Sequence, residues 1–238
     1  MAIVIAVDGL IGAGKSTLLE YLDRIPTIKS HRLVVLQEDV GDWIDRGFLK
    51  QYYEEPERYA FCFQLYVLYR RASLIDKAIE GNSNAVIVSE RTSVSDYMFA
   101  IMLYNTKKIS EAEFNVYQMV YTKLKKVEIA GRILLKCSPE KALERCVDRN
   151  REGEEKLTLE YLQQVEEYTN DFFQNDVATV PAITISTETE IHDVVDTTLI
   201  FLEDVVHDID TQRFKRVFLQ SSIAWAIVLA LSCCVYAC

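Results

Sequence analysis

Apolar residues fall along this chain in two rhythms. Short runs at 3–7, 33–36, 85–89, 132–137 and 182–186 have the length and β-branched content of strands buried on both faces. Between them, near 15–24, 56–80, 110–127, 139–147, 158–175 and 190–208, apolar positions recur every three or four residues, as one face of a helix requires. Strands that alternate with helices in this way predict a parallel, five-stranded α/β sheet flanked by helices. There are no internal repeats and no low-complexity linker.

The turn between the first strand and the first helix carries the strongest chemistry. Residues 9–17 read GLIGAGKST, a phosphate-binding loop in the strand-to-helix context that it needs, so the sheet is of the P-loop NTPase type. Gly9, Gly12 and Gly14 let the backbone turn its N–H groups toward phosphate oxygens, and the helix that begins near Lys15 adds its positive end. The nucleotide-binding set is Gly9, Gly12, Ala13, Gly14, Lys15, Ser16 and Thr17. Lys15 is placed to reach the β- and γ-phosphates of ATP, and the Ser16 hydroxyl to coordinate Mg²⁺.

Composition narrows the reading. The 238 residues suffice for one core, and a net charge of −10 argues against a protein that coats nucleic acid, which needs stripes of Lys and Arg. Cys62, Cys137 and Cys146 stand alone and Cys233, Cys234 and Cys238 crowd the end, with no metal spacing or disulfide framework, as in a reducing, cytosolic compartment. The stretch 209–216 is a basic linker that follows a domain at 1–208. Residues 217–238 carry no charge and, as a helix, would reach about 33 Å, near the thickness of a bilayer core. They read as a C-terminal hydrophobic helix that anchors the chain to a membrane, with the basic flank on the cytosolic side.

In such sheets ligands sit beyond the carboxyl ends of the strands. The segments there are rich in charge: Glu38 with Asp39, Asp42 and Trp43; Glu90-Arg91-Thr92; and the run from Arg149 to Glu155. With the stretch from Tyr53 to Gln64, these motifs resemble the deoxyribonucleoside kinases of the deoxycytidine and deoxyguanosine kinase type, over about residues 3–208.

The resemblance implies a role for each matched position. Glu38 is the general base toward the nucleoside 5′-hydroxyl and Arg91 the arginine beside that oxygen. Glu90 helps Ser16 to hold Mg²⁺. Arg149 and Arg151 belong to a lid over the donor phosphates, spaced one residue longer than is common in the family. Tyr53 and Glu155 bond the sugar 3′-hydroxyl, Gln64 reads the base edge, and Trp43 and Phe99 bracket the base. Arg71 and Asp96 accompany a preference for deoxycytidine or deoxypurines, and the segment after Asp96 is one residue shorter than in relatives. Asp39 stands where the family usually has proline. The resemblance further implies a homodimer through the helices at 56–80 and 110–127.

The expected activity is therefore ATP-dependent phosphorylation of a deoxyribonucleoside. Two alternatives remain at this point: a nucleoside monophosphate kinase of the thymidylate type, and a catalytically silent, membrane-tethered nucleotide-binding module.

Overall fold

A computed structural model describes the backbone of residues 1–124, 127–176 and 180–235, and the side chains of these residues apart from 174–176 and 215–235. Six strands form the sheet: β1 (Ile3–Gly9), β2 (Thr27–Ile28), β3 (His31–Leu36), β4 (Val86–Glu90), β5 (Gly131–Lys136) and β6 (Ala182–Ser186). Their order is β2-β3-β4-β1-β5-β6. β1 lies near the middle and is buried throughout, which is why its sequence is apolar from Ile3 to Val7.

The expectation of five parallel strands needs one correction. β2 pairs antiparallel with β3, so the sheet is mixed. This strand has only two residues, and Lys29 turns the chain with a φ of 49° between it and β3. Two residues are too few to print a periodicity.

The helices are α1 (Lys15–Leu22), α2 (Val40–Asp45), α3 (Phe48–Glu54), α4 (Pro56–Gly81), α5 (Ser93–Asn105), α6 (Glu111–Leu124), α7 (Pro139–Arg149), α8 (Leu159–Asp176) and α9 (Ile191–Val235). Sequence periodicity does not predict α2, α3 or α5. α5 is packed on nearly every side, with Ser95, Asp96, Met98, Phe99, Ala100, Met102 and Leu103 all buried, so no polar stripe marks a helical period.

α9 runs without a break through the stretch 209–216 that was expected as a linker. Its described part is held against the N-terminal edge of the sheet: His31 Nε2 lies 2.9 Å from Asp210 Oδ2, and the Arg213 guanidinium donates to the Met1 carbonyl at 2.6 Å. Val194, Val195, Leu202, Val205 and Val206 face inward while Asp193, Glu203 and Asp204 face out, a division of surface suited to water and a packed core. Among the described residues no helix is long and apolar enough to cross a membrane. The anchor expected at 217–238 lies outside the described side chains, and the membrane reading finds no support in the structure.

Candidate active site

A cavity of about 460 Å³ opens beyond the carboxyl ends of the strands. The phosphate loop enters it from β1, and Gly12 has a φ of 84° with the position of a Cβ only 2.3 Å from the Ala142 carbonyl oxygen of α7. A side chain there would meet α7, so the loop and the lid helix approach as closely as only glycine permits. Lys15, at the first position of α1, is buried and donates to the Leu10 carbonyl at 2.7 Å and the Gly9 carbonyl at 3.3 Å. Ser16 Oγ lies 3.4 Å from Glu90 Oε2.

Burial, and then the neighbouring Arg91, lower the Lys15 pKa to about 8 against the pull of Glu90 and Glu38. Bound polyphosphate would favour the charged ammonium, so the titration belongs to the ligand-free protein. We expect affinity for a nucleoside triphosphate to fall as pH rises through about 8. Calorimetry between pH 6.5 and 9.5 tests this, and an affinity level across that range would refute it.

Two strand ends and α4 converge on one carboxylate. Glu38, just past β3, accepts from Arg71 of α4 at 2.7 Å and from Arg91, just past β4, at 2.8 Å, both on Oε1. Burial is the largest influence on Glu38 and pushes its pKa up, but Arg91 and Arg71 together outweigh it and hold the carboxyl at about 2. Arg71 also grips both Asp96 oxygens through Nε, at 3.0 and 2.9 Å. Burial raises the Asp96 pKa, partly offset by Arg71. Arg71 and Asp96, named together by the resemblance, are thus in direct contact.

Arg91 is itself in the left-handed region, with a φ of 60°. Its N–H donates to the Val7 carbonyl at 3.0 Å and its guanidinium to the Gly9 carbonyl at 3.1 Å, which pins it between β4 and the phosphate loop. The same guanidinium lies 5.2 Å from the centre of the Phe99 ring. A non-glycine residue held there stores on the order of 1–3 kcal/mol of strain, which these contacts hold in place.

Trp43 of α2 meets Phe63 edge-on at 5.5 Å. Gln64 and Arg71 stand two turns apart on the inward face of α4, and Tyr53 closes the wall from α3. Asp39 caps α2 by accepting from the Asp42 N–H at 3.3 Å, which accounts for an acid at a position where the resemblance leads one to expect proline.

The comparisons with known proteins meet this geometry. Residues 5–211 match the deoxynucleoside kinase family. The chain belongs to that family. A deoxyadenosine kinase of Dictyostelium discoideum is 32% identical over 184 residues, which cover 76% of this chain and 71% of that protein. Deoxycytidine kinase 1 of Xenopus laevis is 31% identical over 189 residues, 68% of this chain and 70% of its own length. The structure of a deoxyadenosine kinase from M. mycoides, solved with dCMP and a flexible dCDP bound, superposes with a TM-score of 0.73 at 22% identity, covering 85% of this chain and all of the other, a likeness of fold. As a deoxynucleoside kinase the chain is a phosphotransferase enzyme and uses ATP.

Of the residues singled out from sequence, Gly12, Gly14, Lys15, Ser16, Thr17, Glu38, Trp43, Tyr53, Gln64, Arg71, Glu90, Arg91, Asp96, Phe99, Arg149 and Arg151 line the one cavity. Gly9 and Ala13 support it from behind as loop backbone. Glu155 does not line it: the side chain is exposed and takes the Gly153 N–H at 3.0 Å. Glu154 lines the cavity in its place, in the neighbourhood of Tyr53. Spacing counted along the lid points to Glu155, whereas Glu154 is the carboxylate that lines the cavity.

Sequence reasoning also misses Arg145, Thr187, Tyr161 and Phe63, which line the same cavity. Arg145 stands one turn before Arg149 on α7 and bonds Thr187 Oγ1 at 3.1 Å. Its spacing four residues from Arg149 was the available signal. Thr187 follows β6, where the rule of strand ends also points.

Proposed function

We propose that the chain transfers the γ-phosphoryl group of ATP to the 5′-hydroxyl of a deoxyribonucleoside, with deoxycytidine or a deoxypurine preferred, from a catalytic domain at 1–208. The observation that carries this reading is the Glu38 carboxylate, held by Arg71 and Arg91 in the same cavity as the phosphate loop.

Glu38 accepts the 5′-hydroxyl proton as that oxygen meets the γ-phosphorus. A carboxylate of low basicity serves here, because phosphoryl transfer is mainly a matter of position and charge. Lys15, Arg91, Arg149 and Arg151 neutralise the charge that spreads over the transferring group. Ser16 and Glu90 offer a hydroxyl and a carboxylate oxygen, hard donors that suit Mg²⁺ when phosphate oxygens and water complete its shell. Among the described residues no cluster of three or more acidic, His or Cys side chains forms a metal site independent of substrate, which fits an ion that arrives with the nucleotide.

Gln64 reads the base edge, Trp43 and Phe99 bracket the ring, and Arg71 with Asp96 sets the preference among bases. Both cations nearest the acceptor, Arg71 and Arg91, are already engaged by carboxylates, which favours an uncharged nucleoside over a monophosphate. Exposed Tyr69 and Leu74 on α4 and Val116 and Met119 on α6 support a homodimer through these two helices.

The test is ATP-dependent phosphorylation by the full chain, with deoxycytidine, deoxyadenosine, deoxyguanosine, thymidine, dCMP and dTMP in parallel. The reading expects product from deoxycytidine or a deoxypurine above all. Turnover confined to dCMP or dTMP would move the assignment to a monophosphate kinase, and ATP binding with no transfer would leave a silent nucleotide-binding module.

A further inference from the structure

Glu154 lines the cavity that the phosphate loop and Glu38 share. One of its oxygens takes Arg149 at 2.5 Å and the other takes Arg151 at 3.3 Å. Its side chain is only 6% exposed, against 31% for Arg149 and 25% for Arg151. The turn that carries it is seated on the acceptor side: Gly153, with a φ of 88°, places a would-be Cβ 3.2 Å from the Lys50 nitrogen and 3.4 Å from Leu49 of α3. Tyr53, on the same helix, is close enough to feel the Glu154 charge.

Both lid arginines are therefore committed to a carboxylate rather than turned to the phosphate loop. A triphosphate that enters the cavity competes for them with several charged oxygens, and its bidentate bonds to guanidinium are at least as strong as those of one carboxylate. Glu154, mostly buried, is then left short of donors, and a buried acceptor without one is costly. The nearest replacement that a nucleoside supplies is a sugar hydroxyl beside Tyr53.

We propose that Glu154 is a positioning residue that exchanges partners, holding Arg149 and Arg151 in the free enzyme and releasing them to ATP as it takes a hydroxyl of the acceptor sugar. The inference rests on the kinase reading given above. Its consequence is thermodynamic: each substrate weakens a contact that opposes the other, so the two bind with positive coupling, equal in both directions.

The experiment measures binding of a non-hydrolysable ATP analogue with Mg²⁺ to the full chain by calorimetry, with and without saturating deoxycytidine or deoxyadenosine, whichever is phosphorylated. In the unaltered enzyme the nucleoside should tighten the analogue by about fivefold or more. In Glu154→Gln that ratio should fall close to one, while the analogue alone binds as tightly as before or more tightly, since a competitor for the arginines is gone. A residue of merely structural value would instead weaken binding of the analogue alone. Glu155→Gln, at an exposed position of the same turn, is the control for disturbance of the lid. Coupling retained in Glu154→Gln, or lost in Glu155→Gln in its place, overturns the exchange. Turnover without coupling in the unaltered enzyme sinks the exchange alone, whereas no turnover with any nucleoside sinks the kinase reading with it.

Discussion

Replacing Glu38 by Gln should lower kcat by about 10²- to 10⁴-fold while ATP still binds, the range in which removal of a positioned acid or base falls. The amide keeps the size and one acceptor oxygen, so Arg71 and Arg91 retain a partner, but it cannot take the proton of the attacking hydroxyl. With a pKa held at about 2, the native carboxylate is ionised throughout pH 5–7. Protonation of Glu38 therefore contributes no acidic limb to the rate profile between pH 5 and 7. Single-turnover phosphorylation and calorimetry of ATP on the same variant separate chemistry from binding. A variant within about threefold of the native kcat would remove Glu38 from the chemistry, because a loss of less than about 1 kcal/mol is smaller than one hydrogen bond to a charged group.

The second large effect is on stability. Asp8, the residue before Gly9, forms a wholly buried ion pair with Arg132 of β5, and Ser95 of α5 donates to its other oxygen. The Phe173 ring covers the guanidinium at 4.0 Å. One carboxylate thus ties the phosphate-loop strand to the helix that carries Asp96 and to the neighbouring strand.

Asp8→Asn breaks this buried ion pair by removing one of its charges, which costs about 3–5 kcal/mol. For a chain of this size that is a fall in melting temperature of roughly 6–20 °C. Asp8→Ala combined with Arg132→Met removes both charges and should recover most of the loss, because a buried pair replaced by apolar groups is often near neutral. Thermal and urea denaturation of Asp8→Ala, Arg132→Met and the double variant close the cycle. If Asp8→Asn melts within a few degrees of the native protein, the pair is not the tie described here.

The five long strands and six of the helices were legible in the sequence, because each repeats a local pattern: β1 as an apolar run from Ile3 to Val7, α4 as an inward stripe from Ala60 to Ile75. α5 was not, since a helix packed on nearly every side has no polar face to reveal its period. Nor was β2, whose two residues pair only because β3 lies beside them. In the site, the phosphate loop could be read outright, since its residues are consecutive and their chemistry is carried by the backbone. The carboxylates and arginines beyond the strands could be named by type and approximate place.

Which of them meet is a different kind of information. The pairing of β1 with β5 sets Ala6 opposite Arg132, so the arginine reaches along the same face of the sheet to Asp8, a residue 124 positions away. Glu38 meets Arg71 and Arg91 only because the ends of β3 and β4 converge with α4. Glu154 rather than Glu155 enters the cavity because Gly153 adopts a left-handed turn against α3. Periodicity and motif spacing act over a few residues, and so the chain declares its strands, most of its helices and its phosphate loop locally. Contacts between charged side chains depend on sheet register and helix packing over the whole domain, and a shift of one residue in the lid is enough to change which acid lines the cavity.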